Sequence, residues 1–212
     1  MKNTSDRIAK FGEVFTPEQE VNAMLDLVKQ ETQRIDSRFL EPACGDGNFL
    51  AAILDRKIAI VLKRYSKNQL EFEKYIFLSI SSIYGVDILS DNVNDCRLRL
   101  YEQVISAYEN LFDKRNEKFY KTIMYVLETN ILHGDALTLK SPINDKPIIF
   151  AEWSLVTRNK VKRSDYTLSN LLAYQPFDES TLFSDLGEKA FIPIALKKYP
   201  LVHFLEISYA YD

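Results

Sequence analysis

The chain has 212 residues, a formal net charge of -3, 46% hydrophobic residues and 27% charged residues. This length is enough to bury the core of one domain, and the composition is that of an ordinary globular protein. The charge excludes a general attraction to nucleic acid, so DNA binding needs a local basic face or a partner. Two cysteines, Cys44 and Cys96, exclude a disulfide framework and a cysteine-based metal cluster, and we predict no metal site.

The location of the protein is predicted from its apolar segments. Met1 to Gln19 has no apolar segment that resembles a signal peptide, and the longest apolar run, Ile58 to Leu62, is too short to cross a bilayer. We therefore expect a protein of the reducing cytoplasm without membrane contact. Residues 1–212 are predicted to form a single domain, with a core over 11–150 and a hairpin and carboxyl-terminal extension over 151–212.

The first helix is predicted after the sequence Gly12-Glu13-Val14-Phe15-Thr16-Pro17. Thr16 is a good N-cap and Pro17 suits the first helical position. The residues at helical spacing that we expect to face the core are Val21, Met24, Leu25 and Val28. By itself, this stretch is more typical of a capped surface helix than of a functional motif.

A glycine turn between a strand and a helix is the centre of the predicted site. Phe39 to Leu50 has the pattern of a buried strand that stops in this turn and continues as a helix. Gly45 and Gly47 lack the Cβ atoms that would keep a ligand away from the backbone. The amides at the start of the helix then face that ligand, with the positive end of the helix dipole behind them. Many α/β folds make such a turn for packing alone.

The other elements alternate between helices and strands. Helices are predicted for Asn48 to Tyr65, Leu70 to Ile80, Ser90 to Tyr108 and Glu117 to Leu127. Strands are predicted for Ser82 to Asp87, Asn130 to His133 and Lys146 to Phe150. This order predicts an α/β, Rossmann-like fold, with a mostly parallel sheet and helices on both faces.

Acidic residues follow three successive predicted strands, at Glu41, Asp87 and Asp135. In parallel sheets, ligands bind at the carboxyl ends of the strands. An acid after the second strand suits two ribose hydroxyls, and an acid after the third can accept a hydrogen bond from an exocyclic amine. One such acid is more often a helix N-cap. Three in this order indicate a site for a nucleotide-like ligand.

These residues resemble the motifs of the adenine-specific DNA methyltransferases of restriction–modification systems, which use S-adenosylmethionine. Residues 12–17 resemble the motif before the Rossmann-like core of that family, and Glu41-Pro42-Ala43-Cys44-Gly45-Asp46-Gly47-Asn48-Phe49 is similar to its glycine-rich cofactor motif. Gly85-Val86-Asp87-Ile88 and Gly134-Asp135-Ala136-Leu137 resemble the next two motifs, in the same order. About forty residues separate the glycine turn from Asp87, against about twenty in the nucleotide-binding fingerprint, and we interpret the helix between them as an insertion.

The resemblance implies a cofactor site for S-adenosyl-L-methionine. Its positions in this chain are Phe15, Thr16, Pro17, Glu41, Pro42, Ala43, Gly45, Gly47, Asp87, Ile88, Asp135 and Ala136. By analogy, Phe15 to Pro17 cover the methionine end of the cofactor and Glu41 holds its amino group. Asp87 binds the ribose hydroxyls, Ile88 packs on the adenine, and Asp135 accepts from the adenine amine.

The chain departs from the family after the fourth predicted strand. The family carries Asn-Pro-Pro-Tyr or a close variant there, and this chain has Ala151-Glu152-Trp153-Ser154. Methyl transfer to an adenine amine needs a hydrogen-bond acceptor for that amine and an aromatic ring that stacks on the flipped base. Glu152 and Trp153 are therefore the candidate catalytic residues. The alternative is a strand that runs straight on, because apolar and polar residues alternate from Ile149 to Leu155.

A hairpin that turns at Arg158 to Lys160 is predicted next. It carries a basic cluster of Arg158, Lys160, Lys162 and Arg163, flanked by Trp153 and Tyr166. Such a cluster either binds phosphates or is a solvated hairpin surface. A short helix is predicted over Thr167 to Leu172 and a strand over Leu201 to Ile207, with His203 as a packed strand residue.

The residues and the resemblance together predict an S-adenosylmethionine-binding DNA methyltransferase-like protein that methylates the exocyclic amine of adenine in DNA. About sixty residues follow the fourth strand, which is little for a DNA-reading domain. Sequence choice is therefore expected from a separate partner subunit or a much reduced element, and an oligomer is compatible with this. The alternative is a catalytically inactive subunit of the same fold that binds DNA or protein. Methylation of a small molecule or a protein also stays open.

Overall fold

A computed structural model describes residues 16–172 and 194–211. Its α-helices are α1 (Glu18–Leu27), α2 (Lys29–Thr32), α3 (Asn48–Tyr65), α4 (Gln69–Ser81), α5 (Ser90–Glu109), α6 (Glu117–Asn130), α7 (Leu168–Leu172) and α8 (Ile207–Ala210). Its strands are β1 (Phe39–Glu41), β2 (Ile83–Asp87), β3 (Ile131–His133), β4 (Ile149–Leu155), β5 (Lys160–Thr167), β6 (Lys197–Lys198) and β7 (Val202–His203). Among the described helices, none has the combination of length and apolar character that spanning a lipid bilayer requires.

The long helices lie where the apolar periodicity predicts them. Helices α3 to α6 start within one residue of their predicted first residues and end within three residues of their predicted last ones. Asn68 caps α4, because its side chain accepts a hydrogen bond of 3.1 Å from the amide of Glu71. The helix that we interpreted as an insertion is therefore a fully formed element between the first two strands.

Helix α1 differs from the prediction at its start and on its inner face. It begins at Glu18, and the carbonyl of Pro17 accepts the first hydrogen bonds, without a side-chain cap. Val21 and Leu25 are buried, as predicted. Met24 and Val28 are 54% and 45% exposed, so their predicted core position is wrong. Helix α1 therefore buries only a narrow apolar stripe, with about one residue from each of its turns.

Three strands form a parallel sheet in the order β1-β2-β3. Glu41 pairs with Gly85, and Asp87 pairs with His133. Helices pack on one face of this sheet: a Cβ added to Gly85 would lie 2.9 Å from Leu50 of α3. The chain is thus an α/β protein with a parallel sheet and helices, which is compatible with a Rossmann-like fold.

The fourth strand does not join the parallel sheet, which corrects the prediction of a mostly parallel sheet with helices on both faces. Strand β4 pairs with β5 in an antiparallel sheet of order β4-β5-β6, in which β7 also pairs with β5. Phe150 of β4 packs against Tyr84 with a ring distance of 5.2 Å, together with Val86 and Leu168. Within the described residues, the face of the parallel sheet opposite the long helices is therefore covered by β4, the residue that precedes it and the short helix α7.

The hairpin between β4 and β5 is confirmed. Arg158 and Asn159 take positive φ angles of 48° and 63°, which closes the turn at the predicted residues. The predicted strand over Leu201 to Ile207 is wrong beyond His203, where the chain turns into a 3₁₀ turn, Phe204–Glu206. His203 starts this turn, because its Nδ1 accepts from the amide of Leu205 at 3.2 Å.

Candidate functional site

The three predicted acids lie at one edge of the parallel sheet. Glu41 and Asp87 are the last residues of β1 and β2, and Asp135 follows the end of β3 by two residues. Because neighbouring strands are about 4.8 Å apart, the outer two acids follow strands separated by about 10 Å. This edge is the carboxyl edge of the sheet, where ligands bind in open α/β folds.

The glycine turn lies against the middle of this edge. Gly45 and Gly47 have φ angles of 53° and 92°, a left-handed conformation that favours glycine. A Cβ at Gly47 would lie 2.7 Å from the sulfur of Cys96 on α5, so the backbone approaches that helix closely. The thiol of Cys44 contacts Cys96, and this hydrogen bond together with burial raises the pKa of the Cys44 thiol. Both cysteines therefore act as packing residues beneath the turn.

Asp87 connects the second strand to the glycine turn. Its carboxylate accepts hydrogen bonds from the amide of Gly45 at 2.9 Å and from the amide of Leu89 at 2.8 Å. Asn92 donates a third bond at 3.3 Å, and Asp87 is only 8% exposed. A carboxylate has about four acceptor positions, so most of its capacity is used within the protein. Asp87 thus holds the turn in place as well as facing the predicted site.

Glu41 has a different environment. Its carboxylate accepts one long hydrogen bond of 3.4 Å, from the amide of Ala43. Burial raises the pKa of Glu41, and this bond opposes the effect only in part. Among the described residues, no basic side chain forms an ion pair with it. A half-buried carboxylate without a counter-charge favours a ligand that brings a positive charge.

Asp135 and Ile88 complete the carboxyl edge. Asp135 accepts from the amide of Leu137 at 2.8 Å, and this bond lowers the pKa of Asp135 so that it stays ionised. The side chain of Ile88 is 44% exposed. The Nε2 atom of His133 lies 2.9 Å from the carbonyl oxygen of Ile88, which fixes the end of β2 beside the end of β3. Ala136 is half-buried next to Asp135.

The residues before α1 also reach the turn. The carbonyl oxygen of Thr16 lies 3.5 Å from the side-chain nitrogen of Asn48, the first residue of α3. The structure thus brings Thr16 to the glycine turn, with the exposed Pro17 next to it. Phe15 lies outside the described residues. Pro42 and Ala43 are exposed in the turn itself.

Sequence reasoning missed Arg99 at this site. From α5, it donates to the side chain of Asn48 and, at 2.8 Å, to the carboxylate of Asp46. The other carboxylate oxygen of Asp46 is buried and has no hydrogen-bond partner in the described part of the chain. The sequence signal for Arg99 would have been its position three residues after Cys96, which puts both on the face of α5 that covers the turn.

The structure does not bring Glu152 and Trp153 to the three acids. Glu152 forms an ion pair of 2.5 Å with Arg38, which precedes β1. Trp153 is 5% exposed, packs on Phe77, and donates from its indole nitrogen to Asn130, which precedes β3. Both residues therefore lie at the amino edge of the parallel sheet, opposite the predicted site. The reason is that β4 pairs with β5 in the antiparallel sheet instead of joining the parallel sheet.

At one sheet edge, the arrangement provides a glycine cradle, together with an acid that has no counter-charge and a buried carboxylate oxygen that has no partner within residues 16–172 and 194–211. These features fit a small ligand that has hydrogen-bond donors and a positive charge. Comparison of the chain with protein-family models, with curated proteins and with solved structures finds no match in any of the three.

Proposed function

We propose that the chain is an S-adenosylmethionine-dependent methyltransferase related to the adenine-specific DNA enzymes. The observation that carries this proposal is that Glu41, Asp87 and Asp135 lie at the carboxyl edge of the sheet, where Asp87 binds the Gly45–Gly47 turn. When bound, the cofactor supplies an activated methyl group on a positively charged sulfonium. The ligand and the residues at this edge are thus complementary in charge.

The roles proposed for the residues follow from their environments. Glu41 holds the amino group of the ligand, because its carboxylate has one weak partner and no basic neighbour among the described residues. Gly45 and Gly47 let the ligand approach the backbone. Asp135 stays ionised and accepts from an exocyclic amine. Asp87 offers its remaining acceptor position to ribose hydroxyls while it holds the turn.

Titration calorimetry with S-adenosylmethionine and S-adenosylhomocysteine tests the cofactor proposal. Glu41→Gln is the most informative variant, because the one long hydrogen bond that the structure shows for Glu41 contributes little to folding. We expect at least tenfold weaker binding, because the variant removes a charge-assisted bond worth about 1.5–3 kcal/mol. Glu102→Gln removes the same charge from an exposed site on α5 and should leave the affinity unchanged. Absence of heat for the wild-type protein at high concentration would defeat the proposal.

The second candidate function is a subunit of the same fold without methyl transfer. It is favoured by the position of Glu152 and Trp153, which bond to Arg38 and Asn130 at the far edge of the sheet. Transfer of labelled methyl groups to unmethylated DNA, with and without candidate partner subunits, separates the two. Under the first candidate, Glu152→Gln transfers as wild type does. Cofactor binding without transfer to any DNA supports the second.

A further inference from the structure

A group of basic side chains lies on the antiparallel sheet, away from the glycine turn. We define the basic sheet face as Arg158, Lys160, Lys162 and Lys198. Lys160 and Lys162 alternate along β5 and so project to the same side of the sheet. Lys198 of β6 pairs with Ser164, the next residue of β5 on that side. Arg158 stands in the turn between β4 and β5.

All four side chains of the basic sheet face are exposed. In the part of the chain that the structure describes, none of them forms an ion pair. Two acids of β4 and β5 are neutralised by other residues: Glu152 pairs with Arg38, and Asp165 pairs with Arg163. Four positive charges are thus concentrated on a protein whose net charge is -3.

The fourth basic residue of the predicted cluster, Arg163, does not belong to this face. It points to the other side of β5, where its guanidinium binds Asp165 at 2.7 Å and 3.0 Å and stacks on Tyr199. Its side chain is 11% exposed. The structure therefore replaces Arg163 in the cluster by Lys198, which is distant in sequence and adjacent in the sheet.

The basic sheet face adjoins an open cleft of about 370 Å³ at the amino edge of the parallel sheet. Arg38 and Ser154 offer exposed hydrogen-bonding groups to this cleft, whereas the hydroxyls of Ser81 and Ser82 are buried and donate to backbone carbonyls. Asp36 also lines the cleft, and its carboxylate forms an ion pair of 3.6 Å with Arg34. Ser154 pairs with Lys162 across the hairpin, so the cleft and the lysines are contiguous. Exposed basic side chains that repeat along a strand, without acidic partners among the described residues, are the groups with which proteins contact the phosphates of nucleic acid.

We propose that the basic sheet face binds the phosphodiester backbone of nucleic acid. Its lysines and arginine neutralise successive phosphates, and the adjoining cleft accepts polar groups of the same strand. The face lies at the end of the fold opposite the glycine turn, since Trp153 and Arg38 mark the amino edge. It is an anchoring contact separate from the strand-end site, and it does not depend on cofactor binding.

Fluorescence anisotropy with labelled 20-nucleotide single strands and 20-base-pair duplexes tests this inference. With four phosphates neutralised, affinity should fall about 150-fold for a duplex and about 50-fold for a single strand between 50 and 200 mM salt. The variant Lys160→Gln/Lys162→Gln/Lys198→Gln should bind at least tenfold more weakly at 50 mM salt. Its salt dependence should fall to that of about one contact.

A matched control removes three exposed lysines from the helical side of the fold: Lys29→Gln/Lys63→Gln/Lys67→Gln. It should keep the affinity and the salt dependence of the wild type. Calorimetry with S-adenosylmethionine should give the same result for both triple variants, so a failure here is distinct from a failure of the cofactor proposal. No salt-dependent binding to either oligonucleotide, an equal loss in the control, or binding to phosphatidylserine vesicles alone would overturn the inference.

Discussion

The carboxylate of Asp87 and the amide of Gly45, 42 residues apart in sequence, are joined by a hydrogen bond of 2.9 Å. This bond ties the end of β2 to the turn after β1, so the candidate site is held together by one of its own acids. An acid at this position therefore has a structural effect that must be separated from any effect on ligand binding.

Asp87→Ala should lower the free energy of unfolding by about 3 kcal/mol, because it leaves the amides of Gly45 and Leu89 without their acceptor. Asp87→Asn keeps one acceptor oxygen and should lose about half as much. Urea unfolding followed by circular dichroism measures both. Asp113→Ala, an exposed acid in the loop between α5 and α6, should change stability by less than about 0.5 kcal/mol. If Asp87→Ala is as stable as this control, the bond does not hold the turn.

Gly47→Ala tests the close approach of the turn to α5. The new Cβ would lie 2.7 Å from the sulfur of Cys96, at a backbone φ of 92° that L-residues rarely adopt. We expect a loss of about 2–4 kcal/mol from strain and overpacking together. Cys96→Ala removes the sulfur that the new Cβ would contact. The loss of stability in the double variant should therefore be smaller, by at least about 1 kcal/mol, than the sum of the losses in the two single variants. Additive losses would show that the cost comes from the backbone alone.

Much of this site could be predicted from local sequence. The turn chemistry of Gly45 and Gly47 and the acids after three strands are local features, and the structure brings these residues to one sheet edge. The bounds of the long helices could also be predicted, because apolar periodicity is a local feature of the sequence as well. The hydrogen bond between Asp87 and Gly45 was beyond prediction, because it depends on how two strands pair.

The position of Glu152 and Trp153 could not be predicted from spacing. An alternating apolar pattern indicates a strand, but it does not say which strand lies beside it or in which direction it runs. In the structure, β4 pairs with the strand that follows it, across a tight hairpin. Trp153 then meets Phe77 and Asn130, two residues of helices that precede it by many positions. Tertiary pairing, and not the local pattern, decided where this segment lies.

Lys57 predicts a pH dependence of stability. It is fully buried, and its ammonium group donates to the carbonyls of Ile35 and Ser37 and to the hydroxyl of Ser82. Burial lowers the pKa of Lys57 to about 7, from 10.5. Between these values the unfolded chain binds the proton and the folded chain does not, so unfolding becomes less favourable as the pH rises. The increase in stability with pH that Lys57 causes is therefore confined to the range between its folded and unfolded pKa values, and it is absent below pH 7.

Lys57→Met removes this titration. The stability of the wild type relative to Lys57→Met should rise between pH 7 and pH 9 by up to about 1.4 kcal/mol per pH unit. Urea unfolding at pH 6, 7, 8 and 9 measures the difference, in which the other titrating groups cancel. Lys63→Met, at an exposed position of the same helix, should show no such slope. A difference that is constant with pH would mean that Lys57 stays charged through its three acceptors.

Substitutions at Lys162 and Arg163, which are adjacent in β5, should affect nucleic-acid binding and stability separately. Arg163 is half-buried between Asp165 and the rings of Tyr125 and Tyr199, and it donates to the Tyr125 hydroxyl at 2.6 Å. Lysine cannot reproduce the two parallel bonds to a carboxylate, so Arg163→Lys should cost about 2–3 kcal/mol of stability. Because Tyr199 belongs to the segment 194–211, hydrogen exchange there should become faster than in the wild type.

Lys162→Gln is the matched change on the opposite side of the strand. Lys162 is exposed and forms no ion pair within the described residues, so stability should change by less than about 0.5 kcal/mol. Its affinity for oligonucleotides at 50 mM salt should nevertheless fall, and the salt dependence should decrease by about one contact. Arg163→Lys should show the reverse, with lower stability and unchanged oligonucleotide affinity at a temperature where it is folded. Equal effects of both variants on binding would mean that the two sides of β5 do not act independently.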